Sequence, residues 1–405
     1  MTLSDFDAIR PFEPDELPAA YDRLIADPQF RTVAGLVYPQ VPFDMLEKKM
    51  RACKTSLEFQ YEFCYKFIET LLEKASRGID FDTNAVDVNR NYTFVSNHRD
   101  IVLDSALLDK LLVDAGFKTT CEIAIGDNLL SLPWVKDLVR INKSFIVERS
   151  LQPREMLAAS KRIAEYMHYV IQEKNDNVWI AQREGRAKDS NDRTQPAILK
   201  MMAMGGTGTT VERLQQLHIV PLTISYEFDP CDFLKAREFQ LRRDNPEWKK
   251  GKGDDIESMR TGITGFKGRI HYHCAPCIDG FLKQLPKETP KTEFFDIVAA
   301  HIDSEIHRNY RMYPSNFIAA DMLAETSQNQ GDNTHAAFAT DSSFADEGRY
   351  TADERAFFEN YLKGQLAKID LPNRNTQYLR TCILTMYANP LRNHMAALSA
   401  RPKES

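Results

Sequence analysis

Apolar positions change period twice along this chain. From Leu46 they run Met50, Cys53, Leu57, Tyr61, Cys64, Phe67 and Leu71, in steps of three or four that keep them on one helical face. The pattern predicts that residues 1–80 are helical, a packing region without a catalytic constellation. From about residue 90 short apolar runs alternate with helical stretches. Strands are predicted at Tyr92–Ser96, Cys121–Ile125, Ser144–Glu148, Asn177–Ala181, His218–Ile224 and Arg269–Cys274, with helices at Ile101–Ala115 and Pro153–Gln172 between them. Such alternation specifies an α/β sheet with helices on its faces, and places functional residues at strand ends and in the loops that follow. After Pro290 the texture is helical again: Phe294–Met312, then 352–368 and 374–388. Residues 326–350, rich in Ser, Thr, Asn, Asp and Gly, predict an exposed loop before the last two. The chain thus divides into a helical N-terminal domain (1–85), an α/β catalytic domain (86–290) and a helical C-terminal extension (291–405).

Composition narrows the classes. The 405 residues are 43% apolar and 27% charged, with a net charge of −6, so neither disorder nor general nucleic-acid binding is favoured. Seven scattered cysteines, an odd number, fit free thiols in a reducing cytosol better than a disulfide framework. The acidic N-terminus has no apolar signal core, and no apolar window approaches the ~20 residues a bilayer crossing needs. If the substrate is a lipid, it must be reached from the surface.

Four blocks carry candidate chemistry. In Ser96–Asp104 a strand delivers Asn97 and His98 to a loop, with acids at positions 100 and 104. Histidine is suited to taking a proton from a hydroxyl, and a carboxylate can fix its tautomer and stabilise the imidazolium. On a continuous helix His98 and Asp104 would be turned about 240° apart, so they can meet only if His98 lies in a loop and Asp104 in the first turns of the helix. Asp100, just before Ile-Val-Leu, suits an N-cap; which acid serves His98 stays open on spacing alone. His98-Arg99-Asp100 also imitates a kinase catalytic loop, but Ser105 stands where that loop needs Asn, and no Gly-rich loop or Asp-Phe-Gly triplet accompanies it.

The second block, Phe145–Ser150, is an apolar strand ending in Glu148-Arg149. The third, Trp179–Asp189, runs into a loop with Arg183, Arg186 and Lys188 around Gly185. If the two strand ends converge, their cations could bind phosphate, with Gly185 admitting backbone to a ligand. The fourth, Ile219–Glu227, is a buried strand holding Val220-Pro221.

In this order the blocks resemble the glycerolipid acyltransferase superfamily, whose signature is Asn-His-x4-Asp, a Phe-Ile-x-Arg-like block, a Glu-Gly-Thr-Arg-like block and a Val-Pro block. The likeness spans about residues 90–275, and the helical N-terminal region is similar to that of soluble plastid glycerol-3-phosphate acyltransferases. Two departures stand out: five residues separate His98 from Asp104 where the family has four, and Arg186 follows Gly185 directly.

The resemblance implies a mixed sheet flanked by helices and an enzyme that moves an acyl group from a thioester (acyl-coenzyme A or an acyl-carrier protein) to a hydroxyl of glycerol 3-phosphate or its 1-acyl derivative. Phospholipid biosynthesis would be its setting, and the cytoplasmic membrane face its place as a peripheral protein. It implies His98 as base, Asp104 as its partner, and Arg149, Glu184, Gly185, Arg186 and Lys188 at the acceptor. No metal or cofactor is implied, and no Gly-x-Ser-x-Gly elbow suggests a covalent intermediate. A non-catalytic lipid- or carrier-binding protein on the same fold is the alternative.

Two further features have plainer accounts. The basic run Lys235–Gly253 is usually a solvated face; otherwise it would dock anionic headgroups, coenzyme A phosphates or an acidic carrier. His271-Tyr-His-Cys-Ala-Pro-Cys277 invites a zinc reading, but lacks a second ligand pair at zinc-finger spacing, which favours strand-end thiols.

Overall fold

The computed structural model describes residues 2–149, 151–330 and 349–400. Seven strands form one sheet: β1 (Ile79–Asp82), β2 (Thr93–Ser96), β3 (Cys121–Gly126), β4 (Ser144–Val147), β5 (Asn177–Ala181), β6 (Ile219–Tyr226) and β7 (Ile270–Cys274), in the order β1-β7-β6-β2-β5-β3-β4. Every pairing is parallel except β6 with β7, so the sheet is mixed, as expected.

Helices of nine residues or more are α1 (Leu17–Ala26), α2 (Pro28–Val37), α3 (Phe43–Ala52), α4 (Lys66–Ala75), α5 (Leu103–Asp114), α6 (Pro133–Ile141), α7 (Pro153–Tyr169), α8 (Asp232–Asp244), α9 (Lys252–Thr264), α10 (Lys291–Arg308), α11 (Pro314–Gln330), α12 (Ala352–Ala367) and α13 (Thr376–Ser399). No helix among the described residues is long and apolar enough to cross a membrane.

Strand alternation divides the core into two layers. Val95, Val178, Ile180 and Ile219 face one layer with Tyr166 and Met167 of α7 and Ile302 of α10. Phe94, Trp179, Val220, Leu222 and Ile224 face the other, with Leu107, Leu108, Leu111 and Leu112 of α5. Each of those four leucines contributes roughly 1.5–3 kcal/mol by burial. Two satellite cores lie at the ends of the chain. One packs α1–α3 with Ile141; the other packs α8 with α11, α12 and α13.

Two expectations need correction, and one motif finds its partners. The helical reading of residues 1–80 fails at its end, where Ile79 and Asp80 begin strand β1 and pair with Ile270 and His271 of β7. Its Ile-Asp-Phe-Asp sequence is only half-buried, so the apolar run that marks the other strands is missing. The His-x-His of β7 finds its partners on β1: His271 and His273 meet Asp80 and Asp82 across that pairing, at 2.6 and 3.2 Å. Finally, residues 326–330 of the expected loop continue α11, and 331–348 lie outside the described residues.

Candidate active site

β2, β5, β3 and β4 run parallel, so the loops after Ser96, Ala181 and Val147 leave the same edge of the sheet. At that edge, the carboxyl end of parallel strands, open α/β sheets bind ligands. The Asn97 amide anchors the loop after β2. It donates to Ile224 O at 2.9 Å and accepts from Ile224 N at 2.8 Å, so the side chain mimics a strand partner of β6 and fixes where His98 begins.

His98 faces Asp104, with Nδ1 2.8 Å from Oδ2. The same oxygen accepts the backbone N–H of Arg99 at 2.6 Å and of Asp100 at 3.0 Å, while Oδ1 accepts the Tyr226 hydroxyl at 3.1 Å. Asp104 is fully buried, and its oxygens accept from Arg99 N, Asp100 N and the Tyr226 hydroxyl, which makes it an acceptor toward His98 as well. The proton then sits on Nδ1, leaving Nε2 as the basic nitrogen. No hydrogen bond occupies Nε2 among the described residues, and the His98 side chain is 14% exposed. Trp179 packs edge-on against the ring at 5.8 Å, with its indole N–H tied to Ser96 Oγ at 3.0 Å.

The extra residue between His98 and the acid is absorbed before α5 starts. Residues 101 and 102 form a turn, and Asp100 Oδ1 accepts the N–H groups of Val102 and Leu103 at 2.9 and 2.8 Å. Asp100 therefore closes the turn that leads into α5, whose N-cap is Val102 rather than Asp100, and Asp104 is the carboxylate at the imidazole. Burial, then the neighbouring Asp104, pushes the Asp100 carboxyl up; the Leu103 and Val102 N–H groups, and less so the Arg186 charge, offset only part of that. Arg99 turns inward to Asp192, 2.7 Å away, beside the Tyr310 hydroxyl; burial works against its charge and Asp192 outweighs that.

The cation-bearing loop splits between two places. Arg149 lies 3.7 Å from Glu184, so the ends of β4 and β5 do converge. Gly185 has φ 68°, the left-handed region, and an added Cβ would meet nothing within 4 Å; the glycine is required by conformation, not by space. Arg186 and Lys188 point instead to α8 and α9, where they line a small cavity with Lys235, Arg237, Glu238 and Lys250. Lys188 pairs with Glu238, and one Arg186 nitrogen, Nη1, is buried without a partner. Asn389 of α13 holds the same loop by donating to Asp189 O at 2.8 Å.

Several of these groups were invisible from spacing. Asp192, Tyr310 and Glu238 meet the blocks across 93, 211 and 50 residues. Tyr226 stood in the fourth block, yet nothing local marked it as a donor to Asp104.

Comparison with known proteins gives this geometry a setting. A family model described as Acyltransferase matches residues 77–225, from β1 to the end of β6. No curated protein matches the chain. Among solved structures, the 1-acyl-sn-glycerophosphate (LPA) acyltransferase PlsC from Thermotoga maritima matches at 14% identity, over 71% of this chain and 93% of that one, with a TM-score of 0.36. The matched segment, which carries His98, Asp104 and the cation loop, is thus similar to the acyltransferase family.

Proposed function

We propose that the enzyme transfers a fatty acyl group from a thioester, acyl-coenzyme A or an acyl-carrier protein, to a hydroxyl of glycerol 3-phosphate or its 1-acyl derivative. The observation that carries this reading is the His98 imidazole held on Asp104 through Nδ1, with Nε2 free. In this mechanism Nε2 takes the hydroxyl proton, and Asp104 stabilises the imidazolium. The acceptor oxygen attacks the thioester carbonyl, forming the new C–O bond. Collapse breaks the C–S bond, and the leaving sulfur takes the proton back from Nε2. No acyl-enzyme is formed.

Arg186 and Lys188 would hold the acceptor phosphate. Arg149 and Glu184, at the other end of the split loop, would meet a different part of the acceptor, and Gly185 would set the turn between the two places. Met156 and Leu157, 53% and 70% exposed on the helix after Arg149, offer an apolar surface where a peripheral enzyme would meet lipid at the cytoplasmic membrane face.

Thiol release from acyl-coenzyme A and from acyl-carrier protein, measured over a panel of phosphorylated and plain hydroxyl acceptors, tests the reading. Release should depend on a glycerol-phosphate acceptor, vanish in His98→Ala with acceptor binding retained, and need more acceptor in Arg186→Ala. Near-normal turnover in His98→Ala would sink the mechanism; release with water alone would mark a hydrolase.

A further inference from the structure

The cavity beside Arg186 and Lys188 is rich in cations, yet has no room for an anion. Five cations line it: Arg186, Lys188, Lys235, Arg237 and Lys250. Glu238, Asp254 and Glu257 face them, and Lys235 and Lys250 also pair with Asp229 and Asp255 just outside the cavity. Its volume is about 20 Å³, space for about one water.

Glu238 accounts for the missing room. Its side chain is 8% exposed on the inner face of α8, and one oxygen, Oε1, binds Lys188 and, at 2.9 Å, Arg242 Nε. Oε2 stands 3.8 Å from Lys250. Arg242 is 54% exposed, one turn along the same helix, so the carboxylate has an outer partner to turn to when it leaves the inner one. The buried, unpartnered Nη1 of Arg186 is a donor that only an incoming acceptor would satisfy.

We infer that Glu238 is a built-in competitor for the acceptor's phosphate: it occupies the Arg186–Lys188 pocket in the empty enzyme and is displaced onto Arg242 when the phosphate binds. This rests on Arg186 and Lys188 being the acceptor's phosphate residues. The displaced carboxylate keeps the pocket's cations from holding phosphate-bearing product too tightly, so its removal strengthens binding without helping release.

The test compares the wild type, Glu238→Gln, Arg186→Ala and the double variant by titration calorimetry with inorganic phosphate and with glycerol 3-phosphate, and by acyl-coenzyme A thiol release. Gln keeps the volume but drops the charge; thermal melting checks that the fold is kept. An empty-state competitor lowers apparent affinity by the fraction of time it holds the site. Glu238→Gln should therefore bind both ligands on the order of tenfold tighter, lower KM for the phosphorylated acceptor and leave KM for the donor unchanged. Arg186→Ala should abolish the gain. Equal affinities in the wild type and Glu238→Gln overturn the inference, even if glycerol 3-phosphate proves to be the acceptor. Tighter phosphate binding with thiol release indifferent to glycerol 3-phosphate keeps the competitor and removes the acceptor reading.

Discussion

Replacing Asp104 by Asn separates two jobs that a carboxylate beside a histidine usually does together. Oδ2 accepts three donors, His98 Nδ1 and the N–H groups of Arg99 and Asp100. In Asp104→Asn the two backbone N–H groups can tolerate only the amide oxygen at that place, so the NH2 turns to Tyr226, whose hydroxyl can accept. His98 Nδ1–H therefore keeps an acceptor and the tautomer survives; what disappears is the negative charge. Two unit charges about 4 Å apart in an effective dielectric of about 20 interact by ~4 kcal/mol. That is about a thousandfold in kcat, with acceptor KM little changed. Asp100→Asn supplies the contrast. An Asn side-chain oxygen closes such a turn as Asp does, accepting the same Val102 and Leu103 N–H groups, so activity should stay within about tenfold. The assay is steady-state thiol release with melting temperatures recorded alongside. A folded Asp104→Asn with kcat within tenfold of wild type, or an inactive Asp100→Asn beside an active Asp104→Asn, refutes the pairing.

Three further outcomes are expected. Gly262→Ala in α9 puts a Cβ 1.8 Å from Asp100 Oδ2, so it should cost about 1–3 kcal/mol in chemical denaturation and lower kcat by disturbing the His98 loop; a neutral variant would show that α9 yields easily. Asp192→Asn leaves the buried Arg99 charge without its partner and should destabilise the fold by about 3–5 kcal/mol, read from urea midpoints. Asp109 ionises near 3.8 when unfolded, whereas burial in the fold pushes it up to about 7. The folded chain then holds a proton the unfolded chain has lost, so this group's contribution falls as pH rises between those values. Relative to Asp109→Asn, the wild type should lose on the order of a few kcal/mol between pH 5 and pH 8; parallel profiles would remove the assignment.

Much of this was legible because buried parallel strands are short apolar runs and their helices keep a 3.6 period. Strands β2 to β7 and helix α5 declare themselves that way. β1 does not, because Asp80 and Asp82 break its apolar run; the signal lay instead in an Asp-x-Asp matching the His-x-His of β7, readable only once the two strands are known to pair. His98 was legible from its strand end and its block order. Its partner was not settled by spacing, since the turn at 101–102 and the Asp100 side chain that closes it decide where α5 starts. The split of the cation loop could not be read at all. Glu238 is one acid within a basic run, and only the packing of α8 against residues 186–188 makes it the partner of Lys188.

Strand β1 also bears on how the chain reaches this fold. Its one neighbour among the described residues, β7, comes 191 residues later, so the sheet's edge closes late, at a high loop-closure cost. During synthesis the segment after α4 must wait, half-apolar and unpaired, until residue 274 has emerged. A fragment starting at residue 86 would leave β7 as a bare edge with His271 and His273 stripped of their aspartates, open to pairing with another chain. The helical N-terminal region is thus tied to the catalytic sheet by a seam that cannot form before β7 is made, and expression of the sheet without that seam should yield aggregates.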